Sequence, residues 1–223
     1  MTNAAWWYVN RAAGLVAWVL LTGSLLVGLL LSGKALGRKA RPNWLLDLHR
    51  GLSGLAVAFV GVHIVGAVAD SYVHFGVADI LVPGASGWRP LAIAWGVVSL
   101  YLLVAVEASS LLRKHIPKQI WKRLHFLSFP LFLTATAHGI TAGTEMGKTA
   151  GLAAAAVATV AIAGLTTHRV AAETRGRNRP SRPPGPPRPT APIPPVAYVG
   201  PTAPAQPVRS PEPVGRVPVH GPF

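Results

Sequence analysis

Five stretches of this sequence are apolar over lengths that approach the thickness of a lipid bilayer. A helix needs about 20 mostly apolar residues to cross the hydrocarbon core of a membrane. The five stretches are Ala12–Ser32, Leu48–Ala69, Pro90–Leu112, Ile120–Ile140 and Thr149–Thr166. The sequence therefore predicts an all-α membrane protein whose core is a five-helix transmembrane bundle.

The end of the chain has a different composition from the apolar part. Sixteen of the 21 prolines lie in Pro180–Pro222, and seven arginines lie between Arg175 and Arg216. A segment so poor in large apolar residues cannot bury a core of its own. We therefore predict a membrane domain over residues 1–170 and a disordered Pro/Arg-rich cytoplasmic tail over residues 171–223. Its polyproline runs could act as an extended spacer or dock on a partner.

The loops between the apolar stretches differ in charge, and this difference predicts the orientation. Lys and Arg accumulate in cytoplasmic loops. The first and third loops carry most of the loop charge, on Lys34, Arg38, Lys39, Arg41, Arg113, Lys114, Lys118, Lys122 and Arg123. We expect a protein of the plasma membrane with both loops in the cytoplasm. The N-terminus is then outside and the C-terminus inside. Because the net charge of +14 is divided between loops and tail, it indicates membrane lipids rather than nucleic acid as the partner.

The chain has no cysteine. This excludes disulfides, thiolate zinc sites, Cys-ligated iron–sulfur clusters and thiol chemistry. Any redox chemistry of this protein would therefore need a bound cofactor.

Two pairs of histidines lie inside apolar stretches, where an ionisable side chain is costly unless it has a partner or a task. His49 and His63 are 14 residues apart, which on a helix is roughly 21 Å of rise and about 40° of rotation. His125 and His138 are 13 residues apart, or roughly 20 Å and about 140°. The two pairs therefore span nearly the same depth. On an ideal helix, however, His49 and His63 would lie close to one face, whereas His125 and His138 would not. Pro130 lies between the second pair, and we expect it to bend or rewind that segment by removing the bond to the Phe126 carbonyl.

The second and fourth crossings run in the same direction, so the histidines fall on two levels. His49 lies level with His125 near the inner face, and His63 lies level with His138 toward the outer face. Two imidazoles at one depth suit a bis-histidine haem, which transfers electrons and has no open position for oxygen. The pattern favours two haem b groups. The alternatives are histidines that hydrogen-bond neighbouring helices or line a polar cavity, as in a metal or proton transporter. A scaffold subunit acting through its Pro-rich tail is a third possibility.

Other residues could complete such sites. Arg50, Lys122 and Arg123 adjoin the inner histidines and are candidates for binding haem propionates, or they could extend to lipid phosphates. Four small residues of the second stretch could admit a flat macrocycle or a neighbouring helix, namely Gly51, Gly54, Gly61 and Gly66. The remaining histidines, which are His74, His115, His168 and His220, are expected to be ordinary surface residues.

These residues resemble the ferric reductase-like transmembrane domain found in ferric reductases, NADPH oxidases and the haem subunit of the periplasmic methionine sulfoxide reductase. The similarity rests on the 14-spaced pair His49 and His63 and the 13-spaced pair His125 and His138, and it covers about Arg11 to Thr167. It implies that His49 and His125 ligate an inner haem, and that His63 and His138 ligate an outer one.

The chain departs from that family in two respects. The family usually has six crossings, with the histidines on the third and fifth, whereas five are predicted here. Many relatives also carry flavin and nicotinamide domains, but no GxGxxG motif follows the last apolar stretch. We therefore expect a haem-containing oxidoreductase subunit with no flavin or NAD(P)H site and no catalytic side chain of its own. Its electron donor would be a separate dehydrogenase or quinol, and its acceptor would be external.

Overall fold

The structure is a computed structural model that describes residues 3–32, 43–71 and 73–177. In this part of the chain all regular structure is helical, as the sequence predicts. The α-helices are α1 (Asn3–Ser32), α2 (Asn43–Ala69), α3 (Val77–Leu81), α4 (Pro90–Leu111), α5 (Lys118–His125), α6 (Ser128–Ala142) and α7 (Thr149–Arg177), with a short 3-10 helix at Leu112–Lys114. The first predicted cytoplasmic loop and the Pro-rich tail beyond Arg177 lie outside the described residues.

Among the described residues, four helices are long and apolar enough to cross a membrane. They span Ala5–Ser32, Asn43–Ala69, Pro90–Lys114 and Thr149–Thr174. Many of their large apolar side chains point away from the protein, including Val104, Val157 and Val160, which are 56%, 69% and 72% exposed. Exposed apolar surface on this scale favours a lipid environment. The last of these helices continues past residue 170, where the sequence places the end of the membrane domain.

The fourth predicted crossing is not one helix. Residues 120–140 are divided between α5, which ends at His125, and α6, which begins at Ser128. A turn at Phe126 and Leu127 separates them. At 15 residues, α6 alone has a length of roughly 22 Å, less than the hydrocarbon thickness of about 30 Å. The fourth predicted stretch is therefore two helices with a turn between them, in the segment that Pro130 is predicted to bend or rewind.

The helices form two main pairs. α1 packs along α2, and α4 packs along α6. α1 also contacts α6 and α7, and the buried side chains of Leu25, Phe132 and Ile162 form a core among these three helices. Trp18 on α1 reinforces this junction, because its indole N–H donates to Thr136 Oγ1 on α6 at 2.9 Å. The histidines of α2 and those of α5 and α6 face one another between the two pairs.

Candidate functional site: two histidine pairs between the helix pairs

The structure brings the four membrane histidines together as two pairs. His49 on α2 lies beside His125 at the end of α5, with 6.1 Å between ring centroids and 78° between ring planes. His63 on α2 lies beside His138 on α6, with 6.1 Å and 76°. The two pairs therefore have nearly identical geometry at two different levels of the bundle.

The turn between α5 and α6 brings the second chain segment into register. One continuous helix would place His125 and His138 on faces about 140° apart. Because α5 stops at His125 and α6 starts afresh three residues later, both rings can face α2. Pro130 lies in the first turn of α6, where its missing N–H costs nothing, and the Phe126 carbonyl accepts a bond from the Phe129 amide at 3.2 Å instead.

Three of the four rings are held by a backbone carbonyl. Nδ1 of His63 donates to the Asn10 carbonyl at 2.9 Å, Nδ1 of His138 to Ala92 at 2.8 Å, and Nδ1 of His49 to Ser24 at 2.9 Å. A carbonyl oxygen can only accept, so the proton of each neutral ring lies on Nδ1. The lone pair of Nε2 is then left for a metal, which is the usual arrangement of metal-binding histidines.

A glycine makes room for each of these three rings. Gly14, Gly28 and Gly96 follow Asn10, Ser24 and Ala92 by four residues, one helical turn further on. A Cβ atom would lie 2.8 Å from the His63 ring at Gly14, 3.2 Å from the His49 ring at Gly28 and 2.8 Å from the His138 ring at Gly96. We call each such carbonyl and glycine, spaced i and i+4, a ring seat. The seats lie on α1 and α4 and not on the helices that carry the histidines, so the spacing of the histidines alone does not predict them.

His125 is held differently. Its Nδ1 is buried and has no hydrogen-bond partner among the described residues. Its ring stacks on Trp121, one turn earlier in α5, with centroids 5.1 Å apart and planes at 21°. The guanidinium of Arg113 covers the same indole ring, 4.6 Å from its centroid. Aromatic contact, and not a carbonyl, therefore supports this ring.

A cavity of about 320 Å³ surrounds the second pair. His63 and His138 line it together with Gly14 and Gly96 of their ring seats, and it reaches Trp88 and Glu145 in the connections that follow α3 and α6. Pockets that bind cofactors are largely apolar with a few polar groups that orient the ligand. The walls of this cavity are likewise largely apolar, with a few polar groups that include His63 and His138.

One of the four glycines on α2 lies against another helix. A Cβ at Gly51, Gly54 or Gly61 would meet nothing within 4 Å, so these residues do not mediate helix packing in the structure. Gly66 does, because a Cβ there would lie 3.0 Å from the backbone of Asn10. Gly66 thus brings α2 against the part of α1 that carries the His63 seat.

The three candidate propionate-binding residues are exposed. Arg50 forms an ion pair with Asp47 at 3.8 Å, with its side chain 64% exposed. Lys122 and Arg123 are exposed on α5, three and two residues before His125. All three cations are therefore exposed and lie within three residues of His49 or His125 in the chain.

The remaining histidines stay apart from the two pairs. His74 and His115 lie in connections, and His168 is exposed on α7. His220 lies outside the described residues. No group of three or more His, Asp or Glu side chains that could hold a metal ion occurs within residues 3–32, 43–71 and 73–177.

A comparison of the chain with protein-family models, with curated proteins and with solved structures finds no match. The functional argument therefore rests on the geometry of the histidine pairs.

Proposed function

We propose that this protein transfers electrons across the plasma membrane through two bis-histidine b-type haems, as the ferric reductase-like resemblance implies. The observation that carries the proposal is the spacing of the histidine rings. An imidazole nitrogen lies about 2 Å from a metal that it ligates, and about 1 Å from its own ring centre, so two rings on opposite sides of one metal have centroids about 6 Å apart. Both pairs have a separation of 6.1 Å.

The surroundings of the rings fit the same cofactor. His49, His63 and His138 donate Nδ1–H to a carbonyl, which leaves the Nε2 lone pair of each ring available to a metal. Two imidazoles supply both axial positions of a haem, whereas a structural zinc site takes four protein ligands. The cavity at the His63–His138 level provides largely apolar space around its pair. When bound, the two haems would supply one-electron carriers at two depths of the membrane.

The proposal includes the course of the chain through the membrane. In it, α5 and α6 together form the fourth of five crossings, with the N-terminus outside and the C-terminus in the cytoplasm. The His49–His125 pair then lies on the cytoplasmic side, beside Arg50, Lys122 and Arg123, which would bind the propionates. A separate dehydrogenase or a quinol would donate electrons on that side, and an external compound such as a ferric chelate would accept them.

The first test is the visible spectrum of protein purified after haem-replete expression. We expect the sharp bands of low-spin, six-coordinate haem and their shift on reduction with dithionite. Two haems per chain should be found by pyridine haemochrome assay. A colourless preparation would contradict the proposal and leave the transporter and scaffold alternatives.

The second test assigns the ligands by level. His49→Ala or His125→Ala should remove one haem, and His63→Ala or His138→Ala should remove the other, because axial coordination needs two imidazoles at one depth. Each variant should therefore retain about half of the haem. His168→Ala, which changes an exposed histidine on α7, is the matched control and should retain both. A double variant lacking His49 and His63 that still held two haems would refute the pairing.

A further inference from the structure

The ring of His49 contacts a side-chain hydroxyl in addition to its carbonyl. Its Nδ1 lies 2.9 Å from the Ser24 carbonyl oxygen and 3.1 Å from the Ser24 hydroxyl oxygen. The Ser24 hydroxyl lies 2.8 Å from the hydroxyl of Ser53 on α2. We call Ser24 and Ser53 the hydroxyl pair. This pair connects α1 to α2 directly beside a proposed haem ligand.

The other three rings have different surroundings at Nδ1. His138 is seated on Ala92, whose side chain has no polar atom. His63 is seated on Asn10, whose side-chain oxygen is buried without a hydrogen-bond partner among the described residues. Nδ1 of His125 has no partner there either. Within the described part of the chain, a hydroxyl at Nδ1 therefore distinguishes His49 from the other three.

The direction of these hydrogen bonds follows from the proton on the ring. The Ser24 carbonyl can only accept, so the proton of neutral His49 lies on Nδ1, and toward this nitrogen the Ser24 hydroxyl also accepts. A hydroxyl that accepts one hydrogen bond is a stronger donor in the next. The favoured direction therefore runs from His49 to Ser24 and from Ser24 to Ser53.

We propose, on the basis of the proposed haem function, that Ser24 and Ser53 lower the reduction potential of the haem at the His49–His125 level. Both are positioning residues, because they act on the metal through His49 and do not bind it. The hydroxyl pair thereby sets the potential of one haem and leaves the other to its carbonyl-bound rings.

The physical reason lies in the electron donation of the ligand. A partner that accepts the Nδ1 proton raises the basicity of a metal-binding histidine. A more basic axial ligand stabilises the ferric state, and hydrogen bonding near the metal is one of the means by which a protein sets a haem potential. Ser24 is 7% exposed, and a hydrogen bond is stronger in such surroundings than in water. Ser53 acts through Ser24, so its effect should be the smaller one.

The main experiment is potentiometric titration of the holoprotein in wild-type, Ser24→Ala and Ser53→Ala forms. The haem at the His49–His125 level is identified as the one that His63→Ala retains. We expect Ser24→Ala to shift the midpoint potential of this haem upward, because the ring loses an acceptor but keeps the carbonyl. Ser53→Ala should shift it in the same direction by less. The potential of the other haem should stay unchanged in both variants.

Two variants serve as matched controls. Thr22→Val removes another buried hydroxyl of α1 at nearly constant volume, one that donates to the Trp18 carbonyl of its own helix. Ser53→Thr keeps a hydroxyl at the position on α2. Both variants should have the two midpoint potentials of the wild type, which a general loosening of the helix pair would not predict.

The outcomes separate this inference from the haem proposal. If the wild type contains no haem, the proposed function fails and the inference fails with it. If the wild type contains two haems but Ser24→Ala shifts neither potential, shifts both equally or shifts the first downward, the inference is overturned and the proposed function stands. If Ser24→Ala loses the haem at its level, Ser53→Ala decides. Loss of that haem from both alanine variants would show that the hydroxyls only hold the ring in place, and this too would overturn the inference.

Discussion

Single glycines control where the histidine rings can lie. In a ring seat, the histidine ring occupies the volume that a Cβ of the glycine would fill. The carbonyl beside the ring already accepts the helical hydrogen bond of the glycine amide. The carbonyl then accepts a second bond from the ring, as helix carbonyls with two lone pairs can. The room at Gly14 and Gly96 is smaller than at Gly28, where a Cβ would be 3.2 Å from the ring rather than 2.8 Å.

We therefore expect a graded effect of alanine substitution. Gly14→Ala and Gly96→Ala should displace His63 and His138, and each should lose most of the haem at that level. Gly28→Ala should lose less, since a shift of a few tenths of an ångström accommodates the new methyl group. The measurement is the haem-to-protein ratio of the purified variants.

Gly164→Ala provides the control for these variants. Gly164 lies within α7, and a Cβ there meets nothing within 4 Å. This variant should retain full haem content and be slightly more stable, because alanine is favoured over glycine inside a helix by about 1 kcal/mol. Full haem content in Gly14→Ala would show that the seats do not matter.

At the scale of helices, the separation of α5 from α6 determines the facing of His125. Pro130 prevents one straight helix, because its ring would clash with the Phe126 carbonyl and it has no N–H to donate. Its place in the first turn of α6 makes it harmless to that helix. Pro130 thus favours two helices over one continuous helix, and it does not destabilise α6.

Pro130→Ala should favour a continuous helix, since proline is about 3 kcal/mol less favourable than alanine in a helix interior. Continuity would turn His125 away from His49. We expect loss of the haem at that level, with about half of the total haem retained, while the His63–His138 site remains. Pro90→Ala is the control, because Pro90 occupies the first position of α4, where proline is well tolerated. Equal haem content in both variants would show that the turn does not depend on Pro130.

At the scale of the whole molecule, the absence of cysteine offers a direct test of the proposed orientation. A single cysteine introduced at exposed Ala85, between α3 and α4, should react with a membrane-impermeant maleimide in intact cells. A cysteine at exposed Gln119 on α5 should react only after permeabilisation. The reverse pattern would place the His49–His125 level outside and invert the proposed direction of electron flow.

The Pro-rich tail provides the second test at this scale. Deletion of residues 180–223 should leave haem content unchanged, because the segment has too few large apolar residues to cover a cofactor. Liposomes that contain a sealed reductant should still reduce an external ferric chelate with the shortened protein. Loss of haem on deletion would show that the tail belongs to the site. Equal reduction by haem-free protein would exclude the proposed route.

The sequence by itself was sufficient for the helical class and for the depths of the histidines. Apolar length predicts Pro90–Leu112 almost as the structure has it, at Pro90–Leu111. A spacing of 14 or 13 residues determines the rise between two histidines, because rise per residue is a local property of the helix. The step of 14 residues from Gly14 to Gly28, equal to the step from His49 to His63, was also visible in the sequence and could have indicated two ring seats.

Only the tertiary structure decided what each ring touches. His63 binds the carbonyl of Asn10, 53 residues earlier, and His138 binds that of Ala92, 46 residues earlier. The position of the α5–α6 turn is likewise known only from the packed helices. The physical reason is that rotation about a helix axis is not set by apolar composition when lipid and protein faces are both apolar. It is set by the hydrogen bonds and close contacts that one helix makes with another.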